Sequence, residues 1–139
     1  MPEFIGRIST VRTAIFRLKR WFYATFFSPF TKFEEGKKIA EENRRMWVML
    51  ASKIINEISS KYGSDANLAA RIRLTYDSEV VSRVTDPSKG QEIEIRKFIP
   101  RKVVIEVYEK KGDIEFDITE SDIKEALKGG YEEPKVEES

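Results

Sequence analysis

The chain has 139 residues, of which 35% are charged and 40% hydrophobic, and its 25 Lys and Arg nearly balance its 24 Asp and Glu, for a formal net charge of +1. These are the proportions of one soluble globular domain, too short for two full cores and too apolar for a disordered chain. Cysteine and histidine are both absent, which removes disulfides, thiolate nucleophiles, thiol or imidazole metal sites and the commonest general base, so a non-enzymatic protein without metal or cofactor is expected.

The first element is the stretch from Arg7 to Phe33, dense in aromatic and basic side chains. Ile8, Val11, Ile15, Leu18 and Phe22 recur at helical period and make an apolar stripe able to dock on a core. Phe16, Arg20, Tyr23 and Phe27 make a second row, centred roughly 140° around the helix at about 100° per residue. Trp21 lies on neither row. Residues 1–33 carry six Lys and Arg against the single Glu3, and no run approaches eighteen uncharged apolar residues, so neither a membrane span nor a secretory signal is expected and the location is read as cytoplasmic.

Ser28-Pro29 interrupts this helix, and Thr31 with Glu34 has the spacing of a capping box, which predicts a second helix from near Lys32. Ile39, Met46, Trp47, Leu50, Ile54 and Ile58 keep one face apolar, and Gly63 supplies the stop. Gly36 is expected to cost that helix ~1 kcal/mol and to fray its first turn. From Asn67 the period becomes two. Ala70, Ile72, Leu74 and Tyr76 alternate with Arg71, Arg73 and Thr75, which predicts a strand with one cationic face.

Asp77-Ser78 reads as a turn, Glu79 to Thr85 as a second strand, and Asp86 to Gly90 as a loop. Glu92 to Ile99 alternates again, placing Ile93, Ile95 and Ile99 on one face and Arg96 and Phe98 on the other. Pro100 ends this strand or marks a bulge or edge. Lys102 to Lys110 and Ile114 to Ile118 are the last predicted strands, and a short helix follows from Thr119 to Gly129-Gly130. The expected fold is α+β: two long N-terminal helices packed on a four- to five-stranded antiparallel sheet, with a short C-terminal helix. Residues 1–130 are read as one domain and 131–139, with four Glu against Lys135, as an acidic flexible tail.

No glycine-rich phosphate loop is present, and the carboxylates alternating along the strands read as solvated faces. Binding signals are richer. Proteins that hold single-stranded nucleic acid combine a cationic groove with rings on which bases stack. The candidates for that role are Phe16, Trp21, Tyr23 and Phe27 as rings, with Arg17, Lys19, Arg20, Arg44, Arg45, Arg71, Arg73 and Arg96 as cations. Each has a plainer reading. The rings serve equally as core or as an oligomer or partner interface, Arg44 and Arg45 as a solvated or ion-paired helix face, and Arg71 and Arg73 as partners of Glu92, Glu94 or Glu106 across the sheet. A basic aromatic helix also suits a membrane surface.

Ile8-Ser9-Thr10 leading into Leu18-Lys19-Arg20-Trp21-Phe22-Tyr23-Ala24, then Ile39 to Asn43, Ala70 to Asp77 and Val104 to Glu109, resemble the ThermoDBP family and its related proteins. These are archaeal single-stranded DNA-binding proteins of hyperthermophiles. The resemblance covers roughly residues 5–110. It implies helices on an antiparallel sheet that grip single-stranded DNA with little sequence preference, in a cleft of apolar side chains with basic rims, in a homodimer or higher homo-oligomer. The matching positions are the basic and aromatic residues of the first helix and the Arg71/Arg73 strand; RNA is the alternative ligand. No zipper-like extension follows Lys128, a departure from the family. One Gln, three Asn and no Cys among many Lys, Arg and Glu fit a hyperthermophile composition.

Overall fold

The structure, a computed structural model, describes residues 1–63 and 68–134. The expected strand onset at Asn67 and residues 135–139 of the expected tail lie outside the described residues. The chain divides into two compact units, Met1–Glu109 and Lys110–Ser139.

The first unit is an α+β fold with the order β1 (Glu3–Ile5), β2 (Ser9–Thr10), α1 (Val11–Phe26), α2 (Glu34–Tyr62), β3 (Ala69–Thr85) and β4 (Glu92–Tyr108). All strand pairings are antiparallel. β3 is central, with β1 and β2 along one side and β4 along the whole of the other. Ala70, Ile72 and Leu74 point to the helices and are buried, as the alternation predicts. On α1 the buried positions are Ala14, Leu18, Phe22 and Phe26, and on α2 they include Ala40, Trp47, Leu50, Ile54 and Ile58. The helix residues, Ile72 and Leu74 of β3 and both Ile95 and Phe98 of β4 form one core. Phe98 shares the core with Ile95, contrary to the simple alternation, because the register shift at Val80/Ser82 falls between them.

Several expectations are corrected. Only α2 is long, at 29 residues against 16 for α1, and two short strands precede α1, so the helices are not N-terminal to the whole sheet. Ile8 is exposed and outside α1, whose N-cap is Thr10, its hydroxyl accepting from the Thr13 N–H at 3.2 Å. No Thr31 capping box forms. The Thr31 hydroxyl instead donates to the Ser28 carbonyl, and α2 starts at Glu34 with no side-chain cap. β3 runs straight through Asp77-Ser78, and β4 through Pro100, because two register shifts, at Thr75/Tyr76 and Val80/Ser82, absorb the irregularity. Pro100 does not end the strand but marks a bulge on an edge strand, one of the expected alternatives, with the register shift at Thr75/Tyr76 beside it. The Asp86 to Gly90 loop forms as expected, closed by the Asp86 N–H on the Gln91 carbonyl.

The residue that locks these layers is Asn43, fully buried on α2. Its amide nitrogen donates to the Phe26 carbonyl at the end of α1 and to the Arg96 carbonyl of β4, both at 2.9 Å, while its amide oxygen accepts from the Phe98 N–H at 2.8 Å. Nearby, Gly36 is buried rather than frayed: a Cβ there would lie 2.2 Å from the Phe30 carbonyl oxygen. The ~1 kcal/mol a glycine costs a helix is the condition for that close approach.

In the second unit Ile114–Ile118 forms no strand, contrary to expectation. Its helix α3 (Glu120–Leu127) carries a complete capping box, Thr119 and Asp122 each accepting from the other's backbone N–H, and Gly129 ends it at φ +76°.

Asn43→Ala strands two buried carbonyls and one N–H, each at a cost of about 1–3 kcal/mol. Urea denaturation of this variant is expected to show a loss of about 3 kcal/mol or more, against at most about 0.5 kcal/mol for Lys38→Ala on the exposed face. A loss at Asn43 no larger than the control would contradict the assignment.

Candidate nucleic-acid interface

α1 holds Arg12, Arg17, Lys19 and Arg20 and not one carboxylate. From the centre of its buried stripe, between Leu18 and Phe22, about 100° per residue places Phe16, Arg20 and Tyr23 within about 60° of the direction opposite the core, and Phe27 follows as the C-cap. This is the second row of the sequence, now on the outer surface. Phe16 is 55% exposed, while Tyr23 and Phe27 are half-buried and pack against the core. The Arg20 guanidinium lies 6.0 Å from the Phe16 ring centroid and the Lys19 ammonium 5.9 Å from that of Tyr23. Tyr23 and Phe27 meet edge to face at 5.0 Å. Cations and rings therefore alternate along the helix, at the separations where a cation is attracted to a ring face.

α2 adds one cation to this surface. Arg44 lies against the Tyr23 hydroxyl, which together with Glu41, 3.1 Å away, strengthens the hold on its proton. Arg17, Lys19, Arg20 and Arg45 form no ion pair with any carboxylate among the described residues. Their charge is available to a ligand.

The remaining candidates stand elsewhere. Trp21 packs inward on Phe4, Phe26, Tyr76 and Phe98, at centroid distances of 5.0, 5.9, 5.1 and 6.3 Å, so its ring belongs to the core cluster rather than to the outer row. Arg45 lines a shallow hollow of about 270 Å³ with Lys97 and Met46. Arg71, Arg73 and Arg96 are occupied by carboxylates. Arg71 makes a two-pronged pair with Glu106, and Arg73 reaches Glu3 at 3.1 Å. Arg96 holds Glu94 at 2.8 Å and the Ser78 hydroxyl at 2.9 Å. The structure thus brings together Phe16, Lys19, Arg20, Tyr23, Phe27 and Arg44, with Arg17 on the neighbouring flank of α1.

A groove of about 580 Å³ lies elsewhere, between α2 and β4, lined by Met49, Leu50, Ile54, Ile58, Val103 and Ile105. Sequence reasoning missed it because it exists only where an edge strand runs beside a helix. The surplus apolar Met49, beyond the core stripe of α2, was the available signal.

The Arg71 guanidinium, joined by the Tyr108 hydroxyl and Arg73, holds the Glu106 carboxyl below its ordinary 4.5. A carboxyl whose folded pKa is depressed contributes stability that is complete above the unfolded value and is lost as pH falls through the folded one. The melting temperature of the parent is therefore expected to decline below about pH 4.5, and that of Glu106→Gln to decline less over the same interval. Parallel acid limbs would show that the pair contributes nothing. Comparison with family models, with curated proteins and with solved structures finds no match to this chain.

Proposed function

We infer that the protein is a non-enzymatic single-stranded nucleic-acid-binding protein, DNA before RNA, and that its contact surface is the outer face of α1. The observation that carries this reading is the exposed Phe16 and half-buried Tyr23, with cations 6.0 and 5.9 Å from their ring centroids, on a helix without a carboxylate. A ring surface edged by cations matches the two demands of a single strand, stacking for the bases and positive charge for the phosphates. Neither term reads base identity, so little sequence preference follows. Phe16, Tyr23 and Phe27 are the stacking platform. Arg17, Lys19 and Arg20 take the phosphates, while Arg44, Arg71, Arg73 and Arg96 remain with their carboxylates and contribute little.

The resemblance to the ThermoDBP family supports the same reading and adds the setting of a homo-oligomer in the cytoplasm of a hyperthermophilic archaeon. It differs in the surface used, an open helix face instead of a cleft. The rival, in which the same rings close an oligomer or partner interface, is separated by a charge-conserving double variant.

Phe16→Ala with Tyr23→Ala keeps every cation in the chain, and an unchanged melting temperature shows that losing Tyr23, which packs edge to face on Phe22 at 5.2 Å, has not opened the core. Each lost stack is worth about 1–3 kcal/mol, so binding of a fluorescent oligo-dT should weaken at least tenfold while the oligomeric mass stays that of the parent. Unchanged affinity overturns the reading, and dissociation of the oligomer favours the rival. Trp21→Ala is the wrong probe, because it opens a hole among four aromatic neighbours.

A further inference from the structure

We propose that the C-terminal half of β4 pairs antiparallel with the same stretch of a second copy of this chain, across a two-fold axis beside Val104. This gives an interface to the homo-oligomer put forward above and is independent of the α1 surface. β4 pairs with β3 through residues 92–108, and no other described segment pairs with its outer edge. Natural proteins blunt such an edge with lysine, proline and bulges. Here those devices stop short, because Lys97, Pro100, Lys102 and both register shifts lie at or before residue 102. Val103 to Tyr108 carries none of them, and a bare apolar edge is a template for another strand.

Two observations select a second copy as the partner. The first is burial. Val103, Ile105 and Val107 line the groove beside α2 yet are only half-buried, and Val104, on the other face of the strand, is 37% exposed. Pairing this edge with its own copy sets Val103 of each chain against Ile105 of the other and continues the groove floor from one copy into the next. The second is charge. Arg101 is held by Asp77 at 2.8 Å, and Glu92 and Glu94 by Arg83 and Arg96 at the far end of the strand. Around Val104 the outer face of the sheet carries Arg71, Arg73 and Lys102 against Glu3 and Glu106. Of these cations Lys102 alone has no ion pair among the described residues. On the groove side α2 contributes Lys53, Glu57 and Lys61, of mixed sign.

The register follows from symmetry. Directly opposed side chains of an antiparallel pair share a face, so a two-fold axis between identical strands opposes one residue to itself. An axis at Lys102 or Glu106 would oppose like charges. At Val104 it opposes Val104 to itself and Lys102 of each copy to Glu106 of the other, which supplies the missing carboxylate twice. Axes at Val103 or Ile105 supply none within the strand. The Arg71–Glu106 pair is extended by Lys102 of the other copy rather than broken.

The test is sedimentation equilibrium of the full chain, in which the parent is expected to be dimeric. Val104→Lys and Val104→Glu each oppose a charge to its own copy and remove both valines from the interface, so each alone should raise the dissociation constant roughly tenfold or more. An equimolar mixture of the two should form a heterodimer, because Lys then faces Glu, and only an axis at residue 104 gives this rescue. Lys102→Glu, which sets Glu against Glu106, should also weaken the dimer while breaking no ion pair of its own chain. Should Val104→Lys, opposite Arg73 on β3, lose its melting transition, Val104→Glu and Lys102→Glu carry the test. A monomeric parent overturns the proposal. So does a folded variant with the parent's dissociation constant, or a mixture of folded variants no more associated than its components. Affinity of Val104→Glu for a short oligo-dT, measured in parallel, should stay within about twofold of the parent's per protomer, so failure of this interface is distinguishable from failure of the α1 reading.

Discussion

The buried side chain of Asn43 is the constraint on which the arrangement of the first unit depends. Hydrophobic burial holds α1, α2 and the sheet together but is not directional. The carboxamide of Asn43 is directional, and it joins the last turn of α1, the middle of α2 and the strand β4 through three backbone groups. Each bond adds only about 1 kcal/mol net. Their combined geometry ties the end of α1 to α2 and β4, while the apolar stripe of Leu18, Phe22 and Phe26 turns that face of α1 into the core and leaves Phe16 and Arg20 exposed. The close approach of Gly36 to the Phe30 carbonyl acts on the same junction from the connection between the two helices.

Once the helix is set, electrostatics decides which cations are free. The outer face of the sheet and the outer face of α1 both carry arginines, but with different neighbours. On the sheet, Glu3, Glu94 and Glu106 stand within bonding distance of Arg73, Arg96 and Arg71. Exposed pairs of this kind are individually weak, yet they leave little net positive field. On α1 there is no carboxylate to answer four cations, and the nearest polarizable groups are rings. The same residue type is structural in one place and available in the other.

Much of this was legible in the sequence, and the misses share a cause. Strong periodicity found α1, α2, the buried face of β3 and the outward row of Phe16, Arg20, Tyr23 and Phe27, because each depends on spacing within one element. Capping signals succeeded where nothing competed, as at Thr119 and Asp122, and failed at Thr31, where tight packing around Phe30 and Gly36 overrode the local preference. β1 and β2, at 3 and 2 residues, are too short to show a period. The continuity of β3 and β4 was hidden by Asp77-Ser78 and Pro100, whose turn chemistry is absorbed by bulges that only a paired partner reveals. Trp21 and Asn43 were misplaced or overlooked for one reason: their partners, Phe4, Tyr76 and Phe98 for the one and three backbone groups for the other, come from distant parts of the chain.

The central claim is that open cations and rings on α1 grip a single strand. Its most direct measurement is the affinity for oligo-dT and for a duplex of equal length at two salt concentrations. Three contacting cations, Arg17, Lys19 and Arg20, give a log–log salt slope of about −2 on a single strand, from roughly −0.7 per phosphate, with the single strand bound more tightly than the duplex. A flat salt response, or equal affinity for both ligands, would contradict the account.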